Sequence, residues 1–318
     1  MTNIQREDIH ILSRHSNLTE KGIDRALKEK VYPNKESWQS FLRLFFITLG
    51  VGFTVSGIIF FFAYNWEDLH KFVKLGMTEG LIIATTILAL LPKINFNIRN
   101  IILTGSSVLV GVLFSVFGQI YQTGANAYDF FLAWTVFVTL WVVVSNFAPL
   151  WLFYLILINT TFILYSQQVV KDWSDVLVFT SLFVINLAPL ITALSILKFK
   201  KEVKIPGWFL YTVALAAATY ATIGIIAGIF GTYHPAFPVL LLLTALVFSL
   251  GIRHGLKTKN AFYLSVIPFS VIVIVSALLI KISESEMMFL LVSLFIIASV
   301  TLVIKNLIDT QKKWANEN

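Results

Sequence analysis

The sequence predicts an all-α fold: a polytopic membrane protein of about ten transmembrane helices, preceded by a short helical N-terminal region in the cytoplasm. Three observations carry that expectation. The 318-residue chain is 57% hydrophobic with a mean hydropathy of +0.81, more apolar surface than a soluble domain of this size can hide. Apolar runs of about twenty residues, each long enough to cross a ~30 Å hydrocarbon core, recur along nearly the whole length. Charged residues make up only 13%, and they fall in short segments between those runs.

Residues 1–43 read as a soluble helical leader. In "NLTEKGIDRALKEK", Asn17 is a candidate N-cap with Glu20 three positions on, and Ile23 and Leu27 share one face. Pro33 and Asn34 end that segment, and "NKESWQSFLRLFF" then brings Trp38 to the membrane interface. A small helical cap tethered to the bilayer accounts for these features; a regulatory or partner-binding role is the sharper alternative. No cleavable signal peptide is expected, because the leader is polar and the first apolar run is long and late.

The spans are expected near 44–64, 73–92, 100–120, 129–147, 149–168, 175–197, 207–231, 236–252, 260–281 and 286–305. The organisation is therefore a leader over 1–43, five helices over 44–168, and five more with a short cytoplasmic tail over 169–318. The fourth and fifth spans meet at a very tight turn between Asn146 and Pro149. An even number of spans places both termini on one side. That side collects 20 of the 24 Lys and Arg residues, leaving only Lys71, Lys74, Lys171 and Lys281 opposite. The positive-inside rule then puts both termini in the cytoplasm, and it explains the net charge of +7 without nucleic acid as a partner. An odd number of helices in each half would invert one half relative to the other, as in several transporter folds, although the halves share no residue-level similarity.

With this topology, "FFAYNWEDLHKF" (61–72) and "FGQIYQTGANAYDFFLAW" (117–134) both lie at the non-cytoplasmic surface. In the third span Ser107, Gly111, Ser115 and Gln119 recur every fourth residue, with Gln122 three further on, so they share a face. Small residues in such a stripe admit a neighbouring helix, and Gly52/Ser56 on the first span and Gly76/Gly80 on the second are expected to answer it. Glu79 is the sharpest residue in the chain, a carboxylate roughly six residues, or ~9 Å, inside the second span. Acids at that depth are costly and normally face a partner or a water-filled cavity. Glu79, Gln119, Tyr121 and Gln122 are thus the candidate ligand or proton site. Asn65, Trp66, Asp68, Tyr128, Asp129 and Trp134 form the outer-face motif, for which interfacial anchoring and helix capping are the plainer explanation.

"FFAYNWEDL" followed by "FGQIYQTGANAYDFFLAW" resembles the two hallmark segments of a bacterial membrane-protein family, domain of unknown function 2157. Asn65 and Trp66 match an Asn-Trp pair after the family's first span. Gly118 to Ala125, Tyr128, Asp129 and Trp134 match its Gly-Gln-Ile-Tyr-Gln-Thr-Gly-Ala run and the Tyr-Asp and Trp that follow. The resemblance covers roughly residues 5–165 and implies a bacterial inner-membrane location. It lends no activity.

Several chemistries lack their residues. There is no cysteine, so disulfides, thiol nucleophiles and cysteine zinc sites are excluded. The five histidines show no metal-binding spacing, and no phosphate loop, dinucleotide fingerprint or nucleophile elbow occurs, so no metal or cofactor is expected. His70 near Asp68 is an ordinary pair for an interface loop. The seventh span, "ALAAATYATIGIIAGIFG", is rich in small residues, which close helix packing explains and a gating surface would also use.

Three function classes follow. A transporter or permeation protein would use Glu79 as a proton or cation site with Gln119 and Gln122 at its entrance. A non-catalytic assembly or sensing component would bind another envelope protein, or lipid, through its outer hairpin tips. An enzyme on a lipid-linked substrate would use Glu67, Asp68 or Asp129 with Glu79, but nothing supplies a nucleophile–base pair. The topology is directly testable in this cysteine-free background. Single cysteines at Asn126 and Lys201 should be labelled by impermeant reagents from opposite sides of the membrane; labelling of both from one side would reject the charge assignment.

Overall fold

The computed structural model describes residues 19, 21–24, 27, 35–64, 69–121, 124, 126–199, 204–282 and 286–316. Among them, ten helices are long and apolar enough to cross a membrane. They are α1 (Lys35–Tyr64), α2 (Lys71–Leu90), α3 (Phe96–Tyr121), α4 (Ala127–Ser145), α5 (Ala148–Tyr165), α6 (Asp175–Phe199), α7 (Gly207–Phe230), α8 (Ala236–Lys257), α9 (Ala261–Ile282) and α10 (Glu286–Asn316). A π-helical turn, Ser166–Val170, extends α5. The chain forms two compact units, Met1–Tyr121 with α1–α3 and Gln122–Asn318 with α4–α10.

Local chemistry sets the helix ends. His70 caps α2, its Nδ1 accepting the Phe72 N–H at 3.4 Å. The expected tight turn between α4 and α5 consists of Asn146 and Phe147. Asn146 adopts the left-handed conformation that Asn tolerates (φ 46°, ψ 44°), and Pro149 sits in the first turn of α5, where its missing N–H costs nothing. Two helices run past their expected ends. α1 begins at Lys35 rather than near 44, so Trp38, Phe41 and Phe45 form an exposed ring ladder with centroids 5.5 and 6.0 Å apart. α10 continues beyond 305 to Asn316, since its polar end contains no Gly or Pro to stop it. Most of the leader, including Asn17, Glu20, Pro33 and Asn34, lies outside the described residues. Helical residues 21–24 are capped by Thr19, whose Oγ1 accepts the Gly22 N–H at 3.3 Å, the part expected of Asn17.

In the first unit α3 packs against both α1 and α2. Its contact with α1 is closest at Gly105, where an added Cβ would stand 2.7 Å from Val51 Cγ1. Its contact with α2 includes a hydrogen bond, Ser106 Oγ to Thr85 Oγ1 at 2.7 Å. Ser107 and Gly111 are buried as expected of a packing stripe, whereas Ser115 and Gln119 are exposed. The expected partners are a correction. Gly52, Ser56, Gly76 and Gly80 are exposed, and no atom lies within 4 Å of a Cβ built on any of the three glycines. α2 instead buries Lys74, Thr78 and Ala89, leaving the glycines on its open side. Hydroxyls and methyls that pack and bond to α3 decide this rotation, because a glycine stripe allows close approach without specifying a partner.

In the second unit α6 and α7 form the most extensive helix pair. The small residues of α7 serve this packing. A Cβ on Gly224 would lie 2.9 Å from both Phe179 Cβ on α6 and Leu240 Cδ2 on α8, and one on Gly228 would collide with the Phe237 ring. One core cluster joins Val176, Phe183 and Leu187 to Ala217, Ala221 and Leu240. A second joins Leu155, Leu190, Phe209, Val213, Phe248 and Ile267.

The glycines give a stability test. Gly105→Ala must push aside Val51, whose branched side chain is stiff, and should cost about 1–3 kcal/mol. Gly76→Ala, at an open helical site, should be neutral or stabilising by about 0.4–1 kcal/mol. Thermal unfolding of both variants in detergent measures the difference; equal melting points would remove the α1–α3 contact as a stability determinant.

Candidate functional site

The polar groups singled out by sequence fall into two places. Glu79, Gln119 and Tyr121 lie in the first unit, and all three are exposed. Glu79 sits about 12 Å along α2 from its first residue, at 1.5 Å per residue. Among the described residues no hydrogen bond or ion pair joins it to Gln119 or Tyr121. Its neighbours on the exposed side of α2 are Gly76, Gly80, Ile83 and Ile87, a stripe at helical spacing that carries the carboxylate between its two glycines. Tyr121 packs its ring on Phe117, centroids 4.7 Å apart. Gln122, Asn65, Trp66 and Asp68 lie outside the described residues.

The rest of the motif starts the second unit and is bonded to its own fold. Gly124 takes φ +64°, a conformation that costs a glycine least and accounts for its place in the Thr-Gly-Ala turn. Asp129 Oδ2 accepts the Asn126 N–H at 3.0 Å, so this acid closes the first turn of α4 and favours the helix N-terminus electrostatically. The Tyr128 N–H donates to Gln168 Oε1 of the π turn at 2.9 Å, across forty positions of sequence. The Tyr128 ring also meets Tyr165 at 5.1 Å, and Tyr165 meets Trp173 at 5.8 Å. Trp134 stands edge-on to Phe130 and Phe153 at 5.7 and 5.6 Å. An open groove of about 450 Å³ runs beside these residues, lined by Tyr128, Leu132, Thr135, Thr161, Phe162 and Tyr165 among others.

Sequence reading passes over the polar ties inside the second unit. Asn159 on α5 and Asn186 on α6, both buried, exchange amide hydrogen bonds: Asn186 Nδ2 to Asn159 Oδ1 at 2.7 Å and Asn159 Nδ2 to Asn186 Oδ1 at 3.2 Å. Each amide also donates to the carbonyl four residues back, of Leu155 and Leu182 respectively. Thr135 meets Thr161 at 3.2 Å, and Thr139 meets Tyr154 at 2.9 Å, tying α4 to α5. The available signal was an Asn at the middle of each of two apolar runs, "LILINTTFILY" and "LFVINLAPL". No group of three or more His, Asp or Glu placed to hold a metal ion occurs among the described residues.

Ten membrane-length helices, with several buried polar groups bonded to each other, define a polytopic α-helical integral membrane protein. Residues 17–151, the segment that holds α1 to α4 and the start of α5, match the family model described as "Predicted membrane protein (DUF2157)". No curated protein and no solved structure matches the chain.

The amide pair should behave as a unit. Asn186→Leu strips Asn159 of its cross-helix partner and should cost about 1–2 kcal/mol, within the range for interhelical hydrogen bonds in membranes. The double replacement of Asn159 and Asn186 by Leu should cost less than the sum of the two single changes, as coupled partners do. Strictly additive melting shifts would show that the two amides act independently.

Proposed function

We propose that this protein is a non-catalytic assembly component of the bacterial inner membrane, with both termini cytoplasmic, that docks a second membrane helix on the exposed side of α2. The carrying observation is the stripe Gly76, Glu79, Gly80, Ile83 and Ile87, which pairs two glycines four residues apart with an exposed carboxylate in a membrane span. A carboxyl group facing hydrocarbon is costly, and a partner helix that hydrogen-bonds to it removes that cost. The glycines let the partner's backbone approach closely. A second copy of the chain fits this face, because a stripe built on two glycines one turn apart is self-complementary about a two-fold axis. Asp129 and the Tyr128 N–H are already bonded within the chain. The 20-to-4 distribution of basic residues supports the orientation.

Transport through Glu79 is the second reading. It is favoured by the exposure of both Glu79 and Gln119, which leaves the carboxyl group accessible to water or an ion should a hydrated path reach it. The two readings separate experimentally. With Ile83→Cys as the reporter, mild oxidation in native membranes should give a disulfide-linked dimer, while a cysteine at Val136 in the second unit should not. Adding Gly80→Leu should abolish the dimer; Glu79→Gln, which keeps a hydrogen-bonding group, should preserve it. A reporter that stays monomeric at every oxidant concentration would reject the docking face.

A further inference from the structure

A separate feature of the second unit, independent of the α2 face, is a partly open cavity of about 330 Å³ lined by α6, α7, α8 and α9. Its walls are hydrocarbon, including Leu187, Leu194, Ala218, Phe248 and Val266. The polar side chains on its lining are His254 and Tyr263, whose rings stand edge-on at 5.4 Å. On α6 the lining runs from Phe183 to Leu194, about 16 Å at 1.5 Å per residue, or roughly half of a ~30 Å hydrocarbon core. The cavity therefore occupies the depth of one leaflet.

That leaflet is the one beside the cations. The four lining helices turn over at a common end, where α6 finishes at Phe199, α7 starts at Gly207, α8 finishes at Lys257 and α9 starts at Ala261. Lys198, Lys204, Arg253 and Lys257 are exposed there, and no ion pair neutralises any of them among the described residues. Arg253 adjoins the lining residue His254, and Lys257 lies one helical turn further. Two of the walls also carry a proline, Pro189 in α6 and Pro268 in α9, each next to lining residues. Each removes a backbone hydrogen bond from its helix and prevents regular packing around the turn before it.

We propose that this cavity holds one acyl chain of an anionic phospholipid, drawn from the leaflet at the cation-rich end, with the phosphate against Arg253 and Lys257. An apolar slot of one-leaflet depth takes the chain, and adjacent lysine and arginine select the headgroup charge, as basic pockets between membrane helices do. The slot is partly enclosed and lies between protein walls, which distinguishes it from the lipid-facing outer surfaces of the same helices.

Native mass spectrometry of the full chain, reconstituted with phosphatidylglycerol or with phosphatidylcholine of the same acyl chains, tests this. Phosphatidylglycerol should be retained at one copy per chain and phosphatidylcholine should not. Inorganic phosphate in excess should fail to displace it, since the chain and not the phosphate alone fills the slot. Arg253→Gln with Lys257→Gln should weaken retention roughly thirtyfold, about fivefold for each cation. Ala218→Leu and, on another wall, Val266→Phe fill the slot and should each abolish retention. A cooperative melt in detergent identifies which of the two filling variants is folded and usable. Retention of both lipids alike, or wild-type retention in a folded filling variant, would overturn the proposal.

Discussion

Hydrocarbon offers no hydrogen bonds, and most polar side chains in these spans answer that constraint, although among the described residues Asn100, Thr86, Thr244 and Ser276 are buried with side-chain atoms left without a hydrogen bond. A polar group in a span is stabilised by a partner inside the protein, which restricts the backbone to helices and favours side chains that bond to one another. Most hydroxyls solve the problem locally. Thr78, Thr104, Ser107, Thr161 and Thr222 each donate to the carbonyl four residues back. Some groups bond back in this way and also meet across helices: Ser106 with Thr85, Thr139 with Tyr154, Asn159 with Asn186. These meetings fix which face of each helix turns inward, and apolar packing fills the space between them.

The same constraint explains which parts of the fold were legible in the sequence. Ten spans could be counted because a span must be apolar for its full length, and the α4–α5 turn could be placed because Asn146 and Pro149 have local reasons to sit where they do. Rotation about the helix axis was harder. Gly76 and Gly80 make a convincing packing stripe, yet Lys74, Thr78 and Ala89 are the residues of α2 that become buried. A glycine stripe states how near a helix can come; the partner's side chains decide whether it does. Gly105, which does hold two helices close, belongs to no regular stripe and gave no warning.

The candidate site was legible to the same degree. Asp129 and Tyr128 were recognised by family resemblance, and each turns out to have a structural task in its own unit. Asp129 closes a helix start, while the Tyr128 N–H reaches Gln168, a residue that only tertiary structure brings near. Glu79 stood out by chemistry alone, because few carboxylates occur in spans, and its side chain is exposed. Asn159 and Asn186 were the reverse case: individually unremarkable amides whose meaning lies in their distance from each other.

That amide pair also limits how the protein can move. Sliding α5 along α6 by even one residue would separate both amides and leave each with only its own helix's carbonyl as a partner, in surroundings that supply no substitute. The two helices are therefore a single mechanical piece, a rigid lever with no gear along its length. Any motion of this region must pivot at the ends of the lever. One such end is the π turn at Ser166–Val170 with Lys171 at φ 52° after it, where the helix is widened, then broken, before α6 begins.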